Sequence, residues 1–139
     1  MRTVFADSNY LWAILNPKDE LHIKAGEVSK SLGNVLLITT EMILTELLNQ
    51  SAKHGEILRG AAVQLVKQLK ENPNVKVIAQ TSVQFNEALK LYEDRSDKEW
   101  SLTDCSSFQI MQRKNIKEAL THDKHFEQAG FIALLRDNP

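Results

Sequence analysis

Four carboxylates in this sequence stand where an acidic side chain needs a reason. Asp7 directly follows the apolar run Val4 to Ala6, and Asp123 follows Glu118 to Leu120 with only Thr121 and His122 between. Asp104 opens the stretch SLTDCSSFQIM, and Glu46 interrupts MILTELL. Carboxylates around a shared point suit hard cations such as Mg2+ or Mn2+, which take oxygen ligands and keep several waters. Phosphodiester cleavage at such a centre requires no nucleophilic side chain, because the metal activates water and offsets the charge developing on phosphate and leaving oxygen. Asn9, Thr121, Ser106 and Ser107 carry hydroxyl or amide groups able to hold those waters, although such residues are equally at home in turns and caps.

Each aspartate also has a simpler reading as a helix cap. Asp is favoured at N-caps and in the first turn, where it meets free backbone amides. Asp7 precedes Ser8, Asp123 precedes His125-Phe126, and Ser101 to Asp104 has capping-box spacing. Glu46 resists this account, since it lies a turn or more inside its helix, beyond the amino-terminal amides. It borders an apolar face formed by Met42, Ile43, Leu47 and Leu48, and no Lys or Arg stands three or four residues away to pair with it.

The elements that must position these acids alternate. Strand-like runs occur at Thr3 to Ala6, Val35 to Ile38, Val75 to Ala79, Glu118 to Leu120 and Phe131 to Leu135. Between them lie helical patterns: Ser8 to Leu15, Leu21 to Leu32, Glu41 to Lys53, and a helix with Ile57, Ala61, Leu65 and Leu69. A helix carrying Val83, Leu89 and Leu91 and another from Leu102 to Gln112 complete the set. Strand alternating with helix predicts an α/β chain with a mostly parallel sheet. In such a sheet ligands bind beyond the carboxyl ends of the strands, where Asp7 and Asp123 fall.

At 139 residues and 42% hydrophobic content the chain is sized for one domain, residues 1–139, with no internal repeat or long linker. Seventeen Lys and Arg against 18 Asp and Glu exclude a global basic field, so any contact with nucleic acid must be local. The lone Cys105 cannot form an intramolecular disulfide, and the longest apolar runs are strand-sized. The expectation is a cytoplasmic protein with no export signal or membrane span.

The segments VFADSNYLWAIL, TTEMILTELLN, WSLTDCSSFQIMQ and ALTHDKHFEQAGF resemble, in order, the four motif regions of PIN domains, across nearly the whole chain. Single motifs of this kind are weak; the ordered set, with TxD and HF at Thr121 to Phe126, is specific. The resemblance implies a three-layer α/β/α sandwich with a central, mostly parallel sheet, and RNA cleavage with Mg2+ or Mn2+. It assigns the catalytic, metal-holding roles to Asp7, Glu46, Asp104 and Asp123, supported by Asn9, Ser107 and Thr121. Many members are VapC-type toxins inhibited by a small antitoxin, so the implied partners are an RNA substrate, an antitoxin protein and a second copy of the chain as a homodimer. Some members carry an additional acid where this chain has Ser106 and Ser107.

Other chemistries fit less well. Of the four histidines only His122 and His125 are close, and no cysteine cluster joins them, which disfavours zinc. His125 or Lys124 could touch an RNA phosphate near the metal, although surface solvation is the commoner fate of such residues, and Trp12 and Trp100 read as packing residues rather than base-stacking platforms. A receiver-like phosphotransfer domain wants adjacent acids after the first strand, where here Asp7 is followed by Ser8. The alternative within the family is a catalytically inactive PIN-like interaction module, against which the four intact acids argue.

Overall fold

The computed structural model describes residues 1–136; residues 137–139 of the expected domain lie outside the described residues. The chain runs β1 (Arg2–Ala6), α1 (Ser8–Leu15), α2 (His22–Leu32), β2 (Val35–Thr40), α3 (Glu41–Ser51) and α4 (Glu56–Glu71). It continues through β3 (Val75–Ile78), α5 (Ser82–Asp94), α6 (Leu102–Arg113), β4 (Glu118–Leu120), α7 (Lys124–Gln128) and β5 (Ile132–Ala133). Local chemistry sets several of these bounds. Gly33, at φ +64°, ends α2 in a conformation that a Cβ would oppose. Thr40 accepts from the Ile43 amide at 3.1 Å to start α3, while Thr81 with Gln84 and Ser101 with Asp104 form capping boxes on α5 and α6.

The sheet has the order β3-β2-β1-β4-β5, and every neighbouring pair is parallel. From β1 the chain steps outward to β2 and β3, then returns to place β4 on the other side of β1. Right-handed crossovers taken in opposite directions put their helices on opposite faces. Accordingly α1 packs on α2, α3 and α4, whereas α6 packs on α5 and α7. The result is the expected α/β/α sandwich, and the reversal of direction creates a crevice between the carboxyl ends of β1 and β4.

The core lies along these two strands: Val4, Phe5, Ala6, Ala119 and Leu120 are at most 1% exposed. Phe108, Phe126, Phe131 and Trp100 form an aromatic cluster over one face: Trp100 and Phe126 meet Phe108 edge-on, the latter with centroids 4.9 Å apart at 88°, and Phe131 lies tilted against it. Trp12 is buried as well, so both tryptophans pack as expected.

Two elements depart from the pattern. The last strand is shorter than its apolar run, because the Arg136 amide bonds the Ala133 carbonyl at 3.1 Å and turns the chain. Val83 and Leu89 of α5 are 67% and 50% exposed, since this helix packs chiefly on α6 and buries Ala88 instead. Among the described residues no helix is long and apolar enough to cross a membrane.

Candidate active site

Asp7 ends β1 and caps α1. Its Oδ1 accepts from the Ser8 backbone amide at 2.8 Å, and its Oδ2 accepts from the Thr121 hydroxyl at 2.8 Å and from Asn9 Nδ2 at 3.0 Å. Thr121 Oγ1 in turn accepts from Asn9 Nδ2 at 2.9 Å and from the Asp123 amide at 3.0 Å. That hydroxyl therefore donates once and accepts twice, which exhausts its capacity and locks the ends of β1 and β4 together. The Asp7 amide bond to the Leu120 carbonyl, at 3.1 Å, and the His122 amide bond to Asn9 Oδ1, at 3.0 Å, complete the clasp.

Glu46 reaches the same crevice from α3. Its Oε1 accepts from the Ser8 hydroxyl at 2.9 Å, and Thr103 of α6 also bonds it. Asp104 sits at the third position of α6, where Oδ2 accepts from the Ser101 amide and from His125 Nδ1, both at 3.1 Å. Asp123 caps α7 by accepting from the His125 amide at 2.9 Å, and His125 Nδ1 lies 3.3 Å from its Oδ1. Ligand atoms of Asp104, Asp123 and His125 all fall within 4.8 Å of one another.

The capping reading of the three aspartates is thus correct, and it coexists with convergence. Each cap fixes a carboxylate at the start of a helix while the fold turns all three starts toward one crevice, with Glu46 alongside. Asn9 and Thr121 join the network. Ser107 does not: it is fully buried one turn along α6 from Asp104, and no hydrogen bond links it to the acids. Ser8 and Thr103, which hold Glu46, escaped sequence reasoning because 38 or more residues separate each from its partner. His125 stands between Asp104 and Asp123 as well as near the surface; its spacing from Asp123 was a signal, its approach to Asp104 was not.

The electrostatics are one-sided. Burial pushes the Asp7 carboxyl up to about 7, against the lowering effect of Thr121 and Ser8, with Asp104 and Glu46 raising it further. Burial likewise raises Glu46 and Asp104, each also raised by the Asp123 charge. Arg2, Lys90, Arg95, Arg113 and Arg136 make their ion pairs elsewhere, with Glu118, Asp94, Asp97, Glu87 and Glu127. Among the described residues, the base that touches the acids is His125. A buried set of oxygen donors with so little protein countercharge fits a divalent cation. Neighbouring Cys105 is no rival nucleophile, since burial pushes its thiol up to about 11.

A pH dependence follows in metal-free buffer. Folded Asp7 keeps its proton to about pH 7, whereas the unfolded residue loses it near 3.8. Between those values the folded state binds more protons, so the Asp7 contribution makes stability fall as pH rises from about 4 to about 7. Urea denaturation in chelator at pH 5 and pH 8, referenced to Asp7→Asn, reads this directly. A wild type that gains stability relative to that variant on going to pH 8 would refute it.

No family-level sequence model matches the chain. It is 30% identical over 132 residues to the 23S rRNA-specific endonuclease VapC20 of Mycobacterium tuberculosis, in each of two strains, spanning 93% of this chain and 95% of the relative. The chain belongs to the VapC family of PIN-domain toxins. The crystal structure of M. tuberculosis VapC20, a sarcin-ricin loop cleaving toxin, superposes with a TM-score of 0.82 at 25% identity, over 93% of this chain and 96% of that one. FitAcB from Neisseria gonorrhoeae shares the fold, with a TM-score of 0.63 at 14% identity over 94% of each chain. As a VapC-family chain this protein is a nuclease by descent, with its acids at the switch point of the sheet.

Proposed function

We propose that this chain is a divalent-cation-dependent endoribonuclease whose catalytic residues are Asp7, Glu46, Asp104 and Asp123. The observation that carries the reading is the convergence of four part-buried or buried carboxylates, coupled to one another and met by a single imidazole. These four would hold Mg2+ or Mn2+, the cations their oxygen donors favour. When bound, such a cation supplies positive charge that makes a water nucleophilic and offsets charge on the phosphate. The protein's own part is orientation: Thr121, Asn9 and Ser8 hold both oxygens of Asp7, Ser8 and Thr103 aim Glu46, and His125 ties Asp104 to Asp123.

The substrate proposed is structured ribosomal RNA of the large subunit, by analogy with the VapC20 relative, with action in the cytoplasm where that RNA resides. The proposed partners are a small antitoxin and a second copy of the chain. The inhibitor best matched to these acids inserts an Arg or Lys among them, replacing the cation's charge.

The test is cleavage of 23S rRNA, and of a hairpin bearing its sarcin-ricin loop, by purified protein. With Mg2+ or Mn2+ both are expected to be cut at a discrete position, and chelator is expected to abolish cutting. Equal cleavage in chelator would sink the metal assignment. Loss of activity with metal present would favour the interaction-module alternative.

A further inference from the structure

A cleft adjoining the carboxylates on the α3 side encloses about 570 Å3 and is lined by Ser8, Glu46, Asn49, Gln50, Lys53 and His54. Glu46, Asn49, Gln50 and Lys53 follow the i, i+3, i+4, i+7 spacing of one helix face, with Lys53 just past the end of α3. Chemistry therefore changes in order along the cleft, from carboxylate through two amides to an ammonium and an imidazole. The Lys53 ammonium makes no ion pair or hydrogen bond among the described residues, while its backbone amide bonds the Gln50 carbonyl at 3.2 Å. His54, although exposed, is held twice: its ring lies 4.7 Å from that of Trp12, and its Nδ1 is 3.0 Å from the Gln50 carbonyl. A carbonyl only accepts, so Nδ1 is the donor in that bond, which leaves Nε2 for a ligand.

A chain of near-neutral net charge cannot draw a polyanion toward four carboxylates by its overall field. Local cations must do so from a position beside the acids rather than among them. Lys53 stands seven residues beyond Glu46, roughly 10 Å at helical rise, and so clear of the carboxylates themselves. The amides between them present both donors and acceptors, the chemistry that reads the edges of unstacked bases in RNA loops.

We propose that this cleft is the subsite for the RNA nucleotide flanking the scissile phosphate, with Lys53 and His54 holding its backbone and Asn49 and Gln50 meeting its base. The inference rests on the ribonuclease reading, and binding measurements separate the two. Affinity for the sarcin-ricin hairpin would be read by fluorescence anisotropy in chelator, and KM, kcat and cleavage position with Mn2+, for wild type, Lys53→Ala, Lys53→Glu and Asn49→Ala. Mn2+ affinity would be read by calorimetry.

Lys53→Glu is expected to weaken RNA binding and raise KM about tenfold, with kcat and Mn2+ affinity nearly unchanged. Lys53→Ala should flatten the logarithmic salt dependence by about 0.7, one single-strand phosphate contact. Asn49→Ala should spread cleavage over more positions. Unchanged RNA affinity and salt slope in both Lys53 variants would overturn the subsite. So would a Lys53→Glu defect confined to binding a protein partner. A wild type that binds the hairpin without cutting it would overturn the ribonuclease reading, and the subsite would be judged on the binding ratio alone.

Discussion

Asp7→Asn, in chelator at pH 8, is expected to melt several degrees above the wild type, and with Mg2+ or Mn2+ present to lose RNA cleavage by about 100-fold or more. Asparagine caps a helix about as well as aspartate, so a residue that only caps would change stability by up to ~0.5 kcal/mol. The structure adds two opposing effects. An amide in place of Oδ2 would point a donor at Asn9 Nδ2 and at the filled Thr121 hydroxyl, costing about 1–2 kcal/mol in mismatched hydrogen bonds. Against this, a carboxyl held up at about 7 instead of 3.8 corresponds to on the order of 4 kcal/mol of destabilisation once it is ionised. The charge effect is the larger at pH 8 and disappears at pH 5, where the wild-type carboxyl is protonated, so the variant's advantage should vanish or reverse there.

Excess Mg2+ at 100 times its dissociation constant would stabilise the wild type by about 2.7 kcal/mol and the variant much less. Melting curves at both pH values, with chelator and with Mg2+, alongside cleavage, decide the matter. If Asp7→Asn keeps metal-dependent cleavage and the same Mg2+ shift, Asp7 is a cap alone and the assignment of the site fails.

Phe126→Ala is expected to cost about 3–5 kcal/mol, a large share of the ~5–15 kcal/mol that holds a domain of this size together. Phe126 is fully buried, edge-on to Phe108 and 6.3 Å from Phe5, so truncation opens a void where sheet, α6 and α7 meet. It also follows His125 and lies three residues after Asp123, on a helix of only five residues that has little else to hold it. Cleavage should therefore fall more than the folded fraction does, because the carboxylate and imidazole of α7 lose their seat. Urea denaturation and activity per folded molecule test both parts. A loss below about 1 kcal/mol would mean that α7 is anchored by its backbone bonds rather than by this ring.

Much of the fold was legible because period and punctuation are local. Short apolar runs marked all five strands, and Asn16-Pro17, Gly33, Asn72-Pro73 and the Ser101 capping spacing marked where helices stop or start. The misreadings are local patterns overruled by neighbours. Val83 and Leu89 carry the composition of a core face, yet α5 rests on α6 and leaves them in water. The run Phe131 to Leu135 has strand composition, yet the turn at Arg136 limits β5 to two residues.

For the candidate site, the sequence by itself determined the cast: three aspartates at strand ends and helix starts, and a glutamate that capping could not explain. Only the tertiary structure decided that they meet. That outcome depends on strand order, because placing β4 beside β1 sets Thr121 against Asp7 across 114 residues and Asp104 against His125 across 21. It also decided their electrostatics, since a carboxyl's affinity for its proton is set by what surrounds it in space. Burial and the neighbouring charges of Asp104 and Glu46 are absent from an extended chain, and they appear only when the crossovers reverse and close the crevice around Asp7.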